Sequence, residues 1–572
     1  MANILAGRQA EVQPPDSVHT LTDVPETPFG RRAFLKGLGA LAGASALAGC
    51  STQQGSGPTT SRPITSPKGP QDTSGDVRFN SEGLPIADWV VKENAREGTI
   101  DWLVGGTPPG GLEGFLDRVS AQPGDELTLY MNSSGKTLSV KAFRMGWYQG
   151  HGARLVADLG SAPATAQPAP QFTPGINMIE CHWKPTMRFK VGSDWLPGYY
   201  LIRVESNQGW SQWVPLVVRD DTSHAHFVVQ SSVTTWQAYN LYGGYSLYLG
   251  ATPGGGQSYA NRSRVVSFDR PYPPGDEDGS ADFFGNEYPL VALVERLGLD
   301  VTYWTDIDLH ARPQLCANHA CLVSLGHDEY WSAPMRFGVQ KAVNKGLNFA
   351  VLGANCCYRH IRLDDSPLGP YRHQVCYKDP TEDPLYGKDN AAVTSNWPSP
   401  PDPRPESQLI GIMYQAYGGS GDLDVVDSSH FLFDKTGLSD GSKILNVLGS
   451  EFDRYVPGPP APGNLTILCH SPTQSVIGPS YSDMSYYTVR GGGGVFASGT
   501  ASFVDRLWDN TTGLANKRFA PGPTPGATEY LIQITKNVLA AFAKGPADRY
   551  HPSQANWQHF YAPTSSAPPP VD

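Results

Sequence analysis

Residues 321–331 read CLVSLGHDEYW, and this stretch decides the fold of the chain. Cys321–Leu325 is apolar enough to be a strand buried on both faces, and it leads directly into the polar residues 327–329. Helical spacing predicts a helix over 334–344, and the apolar residues 347–352 predict the next strand. Apolar strands that alternate with helices indicate a parallel sheet covered on both faces.

Polar side chains stand where these two strands end. His327 and Glu329 follow the first strand, and Asn355 follows the second. Ligands of parallel sheets bind beyond the carboxyl ends of the strands, so we expect a functional site here. The alternative is a buried polar turn that only caps the following helix, with Asp328 or Ser332 as the cap.

The rest of the C-terminal region supports the same sheet. The patterns predict strands over 226–229 and 301–304, helices over 289–297 and 530–541, and further strand ends near 449–454 and 495–500. Two stretches rich in Pro, Gly and Asp, 377–408 and 455–483, are expected to be loops that could cover a site.

A different pattern fills residues from about 112 to 220. Segments such as 126–130 and 199–204 alternate between apolar and polar residues, and turn signals such as Pro-Gly separate them. Short alternating strands of this kind predict an antiparallel β-sandwich of immunoglobulin-like type.

The N-terminal residues carry targeting signals. Arg31-Arg32, followed by FLK, resembles a twin-arginine export signal, and the apolar run 35–48 is too short to span a bilayer stably. The run ends in LAGC, which resembles a bacterial lipobox with Cys50 as the lipidated residue. We expect export of the folded protein by the twin-arginine route and a lipid anchor on the extracytoplasmic face of the cell membrane.

These patterns divide the chain into five parts. We expect a signal with lipobox over 1–50, a disordered tether over 51–84, a β-sandwich domain over 85–222, an α/β domain over 223–560 and a disordered tail over 561–572. The boundary near residue 222 is short and polar, which predicts that few contacts cross it.

Charge and cysteine content exclude some functions. The 43 Lys and Arg residues are outnumbered by 54 Asp and Glu, and the net charge of -11 argues against nucleic acid as a partner. Without Cys50 an odd number of cysteines remains, and no Cys/His ladder suggests zinc. Possible disulfides join Cys376 to the Cys356-Cys357 pair, or Cys316 to Cys321; Cys181 and Cys469 complete the set.

Several phrases in order carry a family resemblance. The segments FRMGWYQGHGARLV, TTWQAYNLYGGYSLY, SFDRPY, DFFGNEYPLV, LVSLGHDEYWS and LGANCCY resemble the family named for the C-terminal region of the N,N-dimethylformamidase large (beta) subunit. The resemblance runs from about Glu113 to Phe542. It implies a class I glutamine-amidotransferase-like α/β domain behind the sandwich, and a mononuclear iron held by two tyrosinates and a glutamate.

The resemblance also implies site residues. Tyr239 in WQAYN and Glu329 in GHDEY match metal ligands, and His327 matches the active-site histidine. Asn355 in GANCC and Glu451 in SEFDR match the other catalytic polar residues.

One expected iron ligand is missing from the matching phrase. The second tyrosine should lie in SFDRP, but Phe268 stands there, and Phe cannot bind a metal. Tyr272, four residues on, is a conceivable substitute. Four alternatives therefore stay open: iron, another ion, a weaker metal site and no metal site.

Three functions stay open at this point. The first is hydrolysis of a C–N bond in a small amide-like substrate, with possible help from a metal. The second is a non-catalytic surface lipoprotein that binds glycan or protein. The third is a hydrolase in which Cys356, on a turn after a strand, is the nucleophile, although the usual Gly-x-Cys-x-Gly elbow is absent.

Overall fold

The computed structural model describes residues 76–275, 277–458, 460–509 and 522–561. The predicted twin-arginine signal, the lipobox with Cys50 and nearly all of the predicted C-terminal tail lie outside these residues. No helix in the described part is long and apolar enough to cross a membrane.

In the first part of the described chain, most regular elements are strands. It contains one α-helix, α1 (Asp88–Asn94), and the strands β1 (Val77–Phe79), β2 (Pro85–Ala87), β3 (Leu112–Leu116), β4 (Ser120–Ala121), β5 (Glu126–Ser133), β6 (Thr137–Met145), β7 (Ala153–Pro163), β8 (Gln171–Thr173), β9 (Met178–Glu180), β10 (Met187–Lys190), β11 (Gly198–Ser206) and β12 (Ser211–Val218).

Two of its sheets form the expected sandwich-like arrangement. A three-stranded sheet has the order β10-β5-β3, and a five-stranded sheet has the order β4-β12-β11-β6-β7. Alternate residues of both sheets share one buried core, which includes Leu127 and Leu129 from β5 and Val140, Ile202 and Val214 from the larger sheet. The period-two pattern therefore predicted the correct secondary structure, because alternate residues of these strands face this core.

The second part mixes strands and helices. Its helices are α2 (Val233–Tyr239), α3 (Phe283–Asn286), α4 (Tyr288–Leu297), α5 (Asp306–Ala311), α6 (Ala333–Val343), α7 (Ser407–Ile410) and α8 (Thr528–Phe542). Its strands are β13 (Phe227–Ser231), β14 (Gly250–Ala251), β15 (Gln257–Ser258), β16 (Val265–Ser267), β17 (Val301–Thr305), β18 (Cys321–His327), β19 (Tyr330–Ser332), β20 (Asn348–Ala354), β21 (Arg359–Ser366), β22 (Gly369–Val375), β23 (Met413–Asp424), β24 (Lys443–Arg454), β25 (Thr466–Ser475), β26 (Gly478–Thr488) and β27 (Gly494–Ala497).

A seven-stranded sheet with the order β17-β13-β18-β20-β27-β26-β25 organises this part. The first five strands run parallel, β26 pairs antiparallel with β27, and β25 pairs antiparallel with β26. Neighbouring residues of β13 point to opposite faces: Val229 joins the core that contains α4 and α8, and Val228 joins the core that contains α6. The predicted parallel sheet with two covered faces is confirmed.

The register of this sheet brings the two polar strand ends together. His327, the last residue of β18, pairs with Ala354, the last residue of β20, so Asn355 emerges beside it. The predicted helices over 289–297, 334–344 and 530–541 are confirmed within three residues at each end.

Two expectations about irregular segments are wrong. Most of the stretch 455–483 is not loop, because it holds β25 and the start of β26, whose exposed polar residues hide the strand pattern. Val77–Phe79, placed in the tether, forms β1 and pairs with β2. The stretch 377–408 is irregular as expected, with only short helical turns.

Many contacts cross the boundary near residue 222, contrary to expectation. Arg144 of β6 is fully buried and donates to both carboxylate oxygens of Glu295 at the end of α4, at 2.7 and 3.1 Å. Glu93 of α1 accepts from Tyr148 at 2.7 Å and pairs with Arg154 at 2.6 Å. We call these five residues the arginine–glutamate network. A continuous apolar core joins the two parts around it, so they are packed as one body.

Candidate active site

Helix α2 lies against the turn that follows β18, and threonine side chains hold the two together. The main-chain N–H of Glu329 donates to Thr235 Oγ1 at 2.9 Å, and Thr234 Oγ1 donates to the carbonyl of Tyr330 at 2.8 Å. The helix ends at Tyr239, so these bonds bring the last side chain of α2 to the strand end.

Two tyrosines meet one buried carboxylate at this point. Tyr239 Oη donates to Glu329 Oε2 at 2.9 Å, and Tyr248 Oη lies 2.9 Å from both Glu329 oxygens. The two phenol rings stack with centroids 4.4 Å apart, and Tyr330 Oη bonds to Tyr248 Oη at 2.7 Å. We call Tyr239, Tyr248 and Glu329 the tyrosine–glutamate cluster.

Two cations border the cluster. Arg359 Nε donates to Glu329 Oε1 at 3.2 Å, and Lys378 Nζ stands 3.0 Å above the centre of the Tyr248 ring. Burial raises the pKa of Glu329, and the charges of His327, Arg359 and Lys378 offset that rise only in part. The fold therefore holds a carboxylate whose charge is costly, which is typical of functional positions.

An imidazole links this cluster to a second carboxylate. His327 Nε2 lies 3.4 Å from Glu329 Oε2 and 3.1 Å from Glu451 Oε2. Glu451 comes from the long hairpin β23–β24, and its Oε2 also accepts from Asn355 Nδ2 at 2.8 Å. Burial alone would lower the pKa of His327, but Glu451 and then Glu329 raise that pKa to about 9. The imidazole thus stands within ion-pair distance of two carboxylates.

Asn355 is held in an unusual backbone conformation. Its φ of 56° lies in the left-handed region, where asparagine is among the better tolerated residues. Asp453 Oδ1 accepts from the Asn355 main-chain N–H at 2.8 Å and fixes the turn. Within the described residues, Asn355 Oδ1 is buried and finds no hydrogen-bond partner. This oxygen can therefore accept a hydrogen bond from a bound molecule.

Asp328, which lies between His327 and Glu329 in the sequence, supports the fold. Its carboxylate accepts from Gln230, Ser324 and Trp331 at 2.7–2.9 Å. Ser332 is the N-cap residue of α6, as the capping alternative predicted. The turn after β18 thus serves both purposes: Asp328 and Ser332 support the fold, and His327 and Glu329 face the site.

The structure brings together all five described site residues that the sequence predicted: Tyr239, His327, Glu329, Asn355 and Glu451. It places Phe268 and Tyr272 elsewhere, in the lining of a separate cavity. The second phenol comes from Tyr248, which sequence reasoning missed together with Arg359 and Lys378. A signal for Tyr248 existed, because residues 239–248 hold a tyrosine at every third position.

Cys356 has the properties of a buried structural thiol. Its side chain is 1 % exposed, and its Sγ contacts Ser324 Oγ at 3.6 Å. Burial, followed by the charge of Asp328, raises the pKa of this thiol well above its usual value. A nucleophilic cysteine needs the opposite shift. All seven cysteines of the described chain are free in the structure.

The donor set fits a hard metal ion. In the described residues no group of three or more His, Cys, Asp and Glu side chains could hold a metal. The cluster offers another set: two phenol oxygens, each within 2.9 Å of a carboxylate oxygen. Phenolate and carboxylate oxygens are ligands that ferric iron favours. Tyr248 therefore places a second phenol at the Glu329 carboxylate, where Phe268 has none to offer.

Comparison with known proteins identifies a family that the chain matches. The family model described as N,N-dimethylformamidase beta subunit-like, C-terminal, matches residues 139–513, about two thirds of the chain. The match includes every residue of the cluster and of the imidazole contacts. No curated protein matches the chain.

Proposed function

We propose, because the chain belongs to the N,N-dimethylformamidase beta subunit-like C-terminal family, that it hydrolyses a C–N bond in a small amide-like molecule. One observation carries this proposal. Both oxygens of the buried Glu329 are contacted by phenol hydroxyls, and the His327 imidazole stands 3.4 Å from the same carboxylate. The family is related to hydrolases, and this geometry supplies the groups that such a reaction needs.

Tyr239, Tyr248 and Glu329 would hold an iron ion. When bound, a hard ferric ion supplies Lewis acidity, which polarises a carbonyl group and lowers the pKa of a bound water. Arg359 and Lys378 keep positive charge beside the ligand oxygens.

The site residues outside the tyrosine–glutamate cluster would transfer protons and orient the substrate. Hydrolysis adds water oxygen to the carbonyl carbon and breaks the C–N bond, so one proton leaves the water and one reaches the departing nitrogen. Because the pKa of His327 is raised to about 9, its imidazolium can donate a proton to the departing amine, and Glu451 Oε2, 3.1 Å away, can accept the proton of the water. Asn355 orients Glu451 through Nδ2 and leaves Oδ1 to accept an N–H or O–H of the bound molecule. Because His327, Glu329 and Asn355 are each at most 3 % exposed, the substrate must be small.

Two further proposals, on the fold and on the cellular location, go beyond family membership. We propose that the parallel sheet of 223–560 is a class I glutamine-amidotransferase-like scaffold, which is consistent with a site at the ends of β18 and β20.

We also propose that Arg31 and Arg32 direct export and that Cys50 carries a lipid. Replacing Arg31-Arg32 by Lys-Lys should leave precursor in the cytoplasm. Cys50→Ala should release the protein from the membrane fraction, and a variant that stays membrane-bound after a salt wash would refute the anchor.

An assay of amine release tests the activity. Full-length protein loaded with iron should hydrolyse at least one of a set of small N-substituted amides. Glu329→Gln and Glu451→Gln should each lose at least about a hundredfold in kcat/KM. Glu126→Gln, an exposed glutamate on the sandwich, and Cys356→Ser should keep activity. The proposal fails if no amide is hydrolysed, or if both site variants hydrolyse amides as fast as the native chain.

A further inference from the structure

A polar atom at the candidate site has no partner within the described part of the chain. Asn355 Oδ1 is buried and accepts no hydrogen bond there, and the residue as a whole is 3 % exposed. Nearly every buried polar atom of a native protein is paired, either with the protein or with a bound molecule. The unpaired oxygen therefore indicates that a hydrogen-bond donor binds beside Asn355.

Hydrogen bonds on both sides of the turn after β20 hold Asn355 in place. Its main-chain N–H donates to Asp453 Oδ1 at 2.8 Å, and the N–H of Cys357 donates to the Asp328 carbonyl at 2.9 Å. Asn355 and Cys357 both have a left-handed φ, of 56° and 59°. The Asn355 side chain therefore extends from a fixed backbone, which is what a residue that discriminates between ligands needs.

The contact with Glu451 decides which end of the Asn355 amide is unpaired. A carboxylate oxygen accepts hydrogen bonds, so Asn355 turns its Nδ2 toward Glu451 Oε2, 2.8 Å away. The same Oε2 lies 3.1 Å from His327 Nε2. Because Oδ1 and Nδ2 belong to one planar amide group, Oδ1 lies beside these contacts. The site thus offers an acceptor that only a donor on the bound molecule can satisfy.

We propose that Asn355 selects amides that carry an N–H, which are primary and N-monosubstituted amides, because this N–H donates to Asn355 Oδ1. The inference rests on the proposed function, in which His327 protonates the departing nitrogen. A tertiary amide has no N–H, so it leaves Oδ1 unpaired and brings an alkyl group against it.

The reaction of an N-monosubstituted amide balances without a further reactant. The water oxygen bonds to the carbonyl carbon, the C–N bond breaks, and one proton reaches the nitrogen for the one that leaves the water. The products are a carboxylic acid and a primary amine.

Matched amides that differ by one N-methyl group test this selection. For each acyl group that iron-loaded, full-length protein hydrolyses, kcat/KM should be at least about tenfold higher for the N-methyl than for the N,N-dimethyl amide. The reason is that a site built to pair with an N–H discriminates against an analogue without it.

Two variants separate this selection from a structural role of Asn355. Asn355→Gly tolerates the left-handed φ but has no acceptor, so the N-methyl to N,N-dimethyl ratio of kcat/KM should fall about tenfold. Loss of the bond to Glu451 lowers both rates and cancels in the ratio. Asn355→Asp keeps an acceptor oxygen and should keep the native ratio. Near-ultraviolet circular dichroism confirms that each variant is folded.

The matched control is Asn446→Gly. Asn446 has the same φ of 56° but is exposed near the start of β24, and its replacement should leave both rates and their ratio unchanged. Equal kcat/KM for the matched amides would overturn the inference. A native ratio in Asn355→Gly would also overturn it, because Oδ1 would then pair with the attacking water. Hydrolysis of no amide would overturn the proposed function itself, so the two failures are distinguishable.

Discussion

Glu295 of the arginine–glutamate network and Glu329 of the tyrosine–glutamate cluster are both 1 % exposed, but they have different partners. Glu295 holds one guanidinium by two hydrogen bonds, and Glu93 holds a second at 2.6 Å. Both oxygens of Glu329 are contacted by phenol hydroxyls, and Arg359 Nε donates to one of them at 3.2 Å.

The pKa directions follow from this pairing. Burial raises the pKa of Glu93, but Arg144 and Arg154 outweigh it and the net shift is downward. The pKa of Glu329 is raised. The charge of Glu93 therefore stabilises the fold, whereas a charge on Glu329 costs stability, as expected where function requires a carboxylate.

The largest effect on stability is expected in the network. Arg144→Met removes both bonds to Glu295 and leaves that buried carboxylate without its guanidinium, so the free energy of unfolding should fall by about 3–5 kcal/mol. Urea unfolding followed by circular dichroism measures this. Arg188→Met, which breaks an exposed pair with Glu126, should cost about 0–1 kcal/mol. Equal losses in the two variants would mean that the network does not join the two parts of the chain.

An effect of intermediate size on the free energy of unfolding, here a gain, is expected at the other end of helix α4. Glu287 precedes the helix, accepts from the main chain of Ser232 at 2.8 Å, and has a pKa raised to about 8 by burial. A raised folded pKa means that its contribution to stability is complete below about pH 4.5 and is lost as the pH rises through 8. Glu287→Gln stays neutral, so it should gain roughly 1–3 kcal/mol relative to the native chain between pH 5 and 8.

Unfolding of this variant at several pH values checks the sign. Glu126→Gln is the exposed control and should follow the native profile. A Glu287→Gln profile parallel to the native one would show that Glu287 does not titrate in the folded protein, and the contrast with Glu295 on the same helix would be lost.

The smallest effect on stability is expected in the cluster. Glu329→Gln removes a costly charge and keeps the side-chain volume, so the unfolding free energy of the metal-free protein should change by no more than about 1 kcal/mol. Urea unfolding beside Arg144→Met gives the comparison directly. A loss as large as that of Arg144→Met would show that Glu329 serves the fold, as Glu295 does.

The positions of His327 and Asn355 can be predicted from the sequence because regular secondary structure determines them. Apolar runs of strand length end at both residues, and parallel neighbours align their ends. Tyr248 is different: it stands 81 residues before Glu329 in an irregular segment, and no periodicity fixes where such a side chain points. Lys378 has a left-handed φ of 64° in a loop, and its approach to Tyr248 depends on long-range packing.

The same reasoning explains why the sequence did not predict the contacts across the boundary near residue 222. Residues 219–223 are polar and short, and this local property suggested a linker. The contacts between the two parts come instead from β6, α1 and α4, far away in sequence, and only tertiary packing reveals that Arg144 and Glu295 meet.

The central claim is that Tyr239, Tyr248 and Glu329 form a metal-binding functional site, and the iron content of purified protein tests it most directly. Full-length protein produced in iron-supplemented cells should contain about one iron per chain and show a tyrosinate-to-iron absorption band. Tyr248→Phe should lose the band and most of the iron, whereas Phe268→Tyr, which adds a hydroxyl outside the tyrosine–glutamate cluster, should leave both unchanged. Natively folded protein without iron, or Tyr248→Phe with native iron content and colour, would contradict the account.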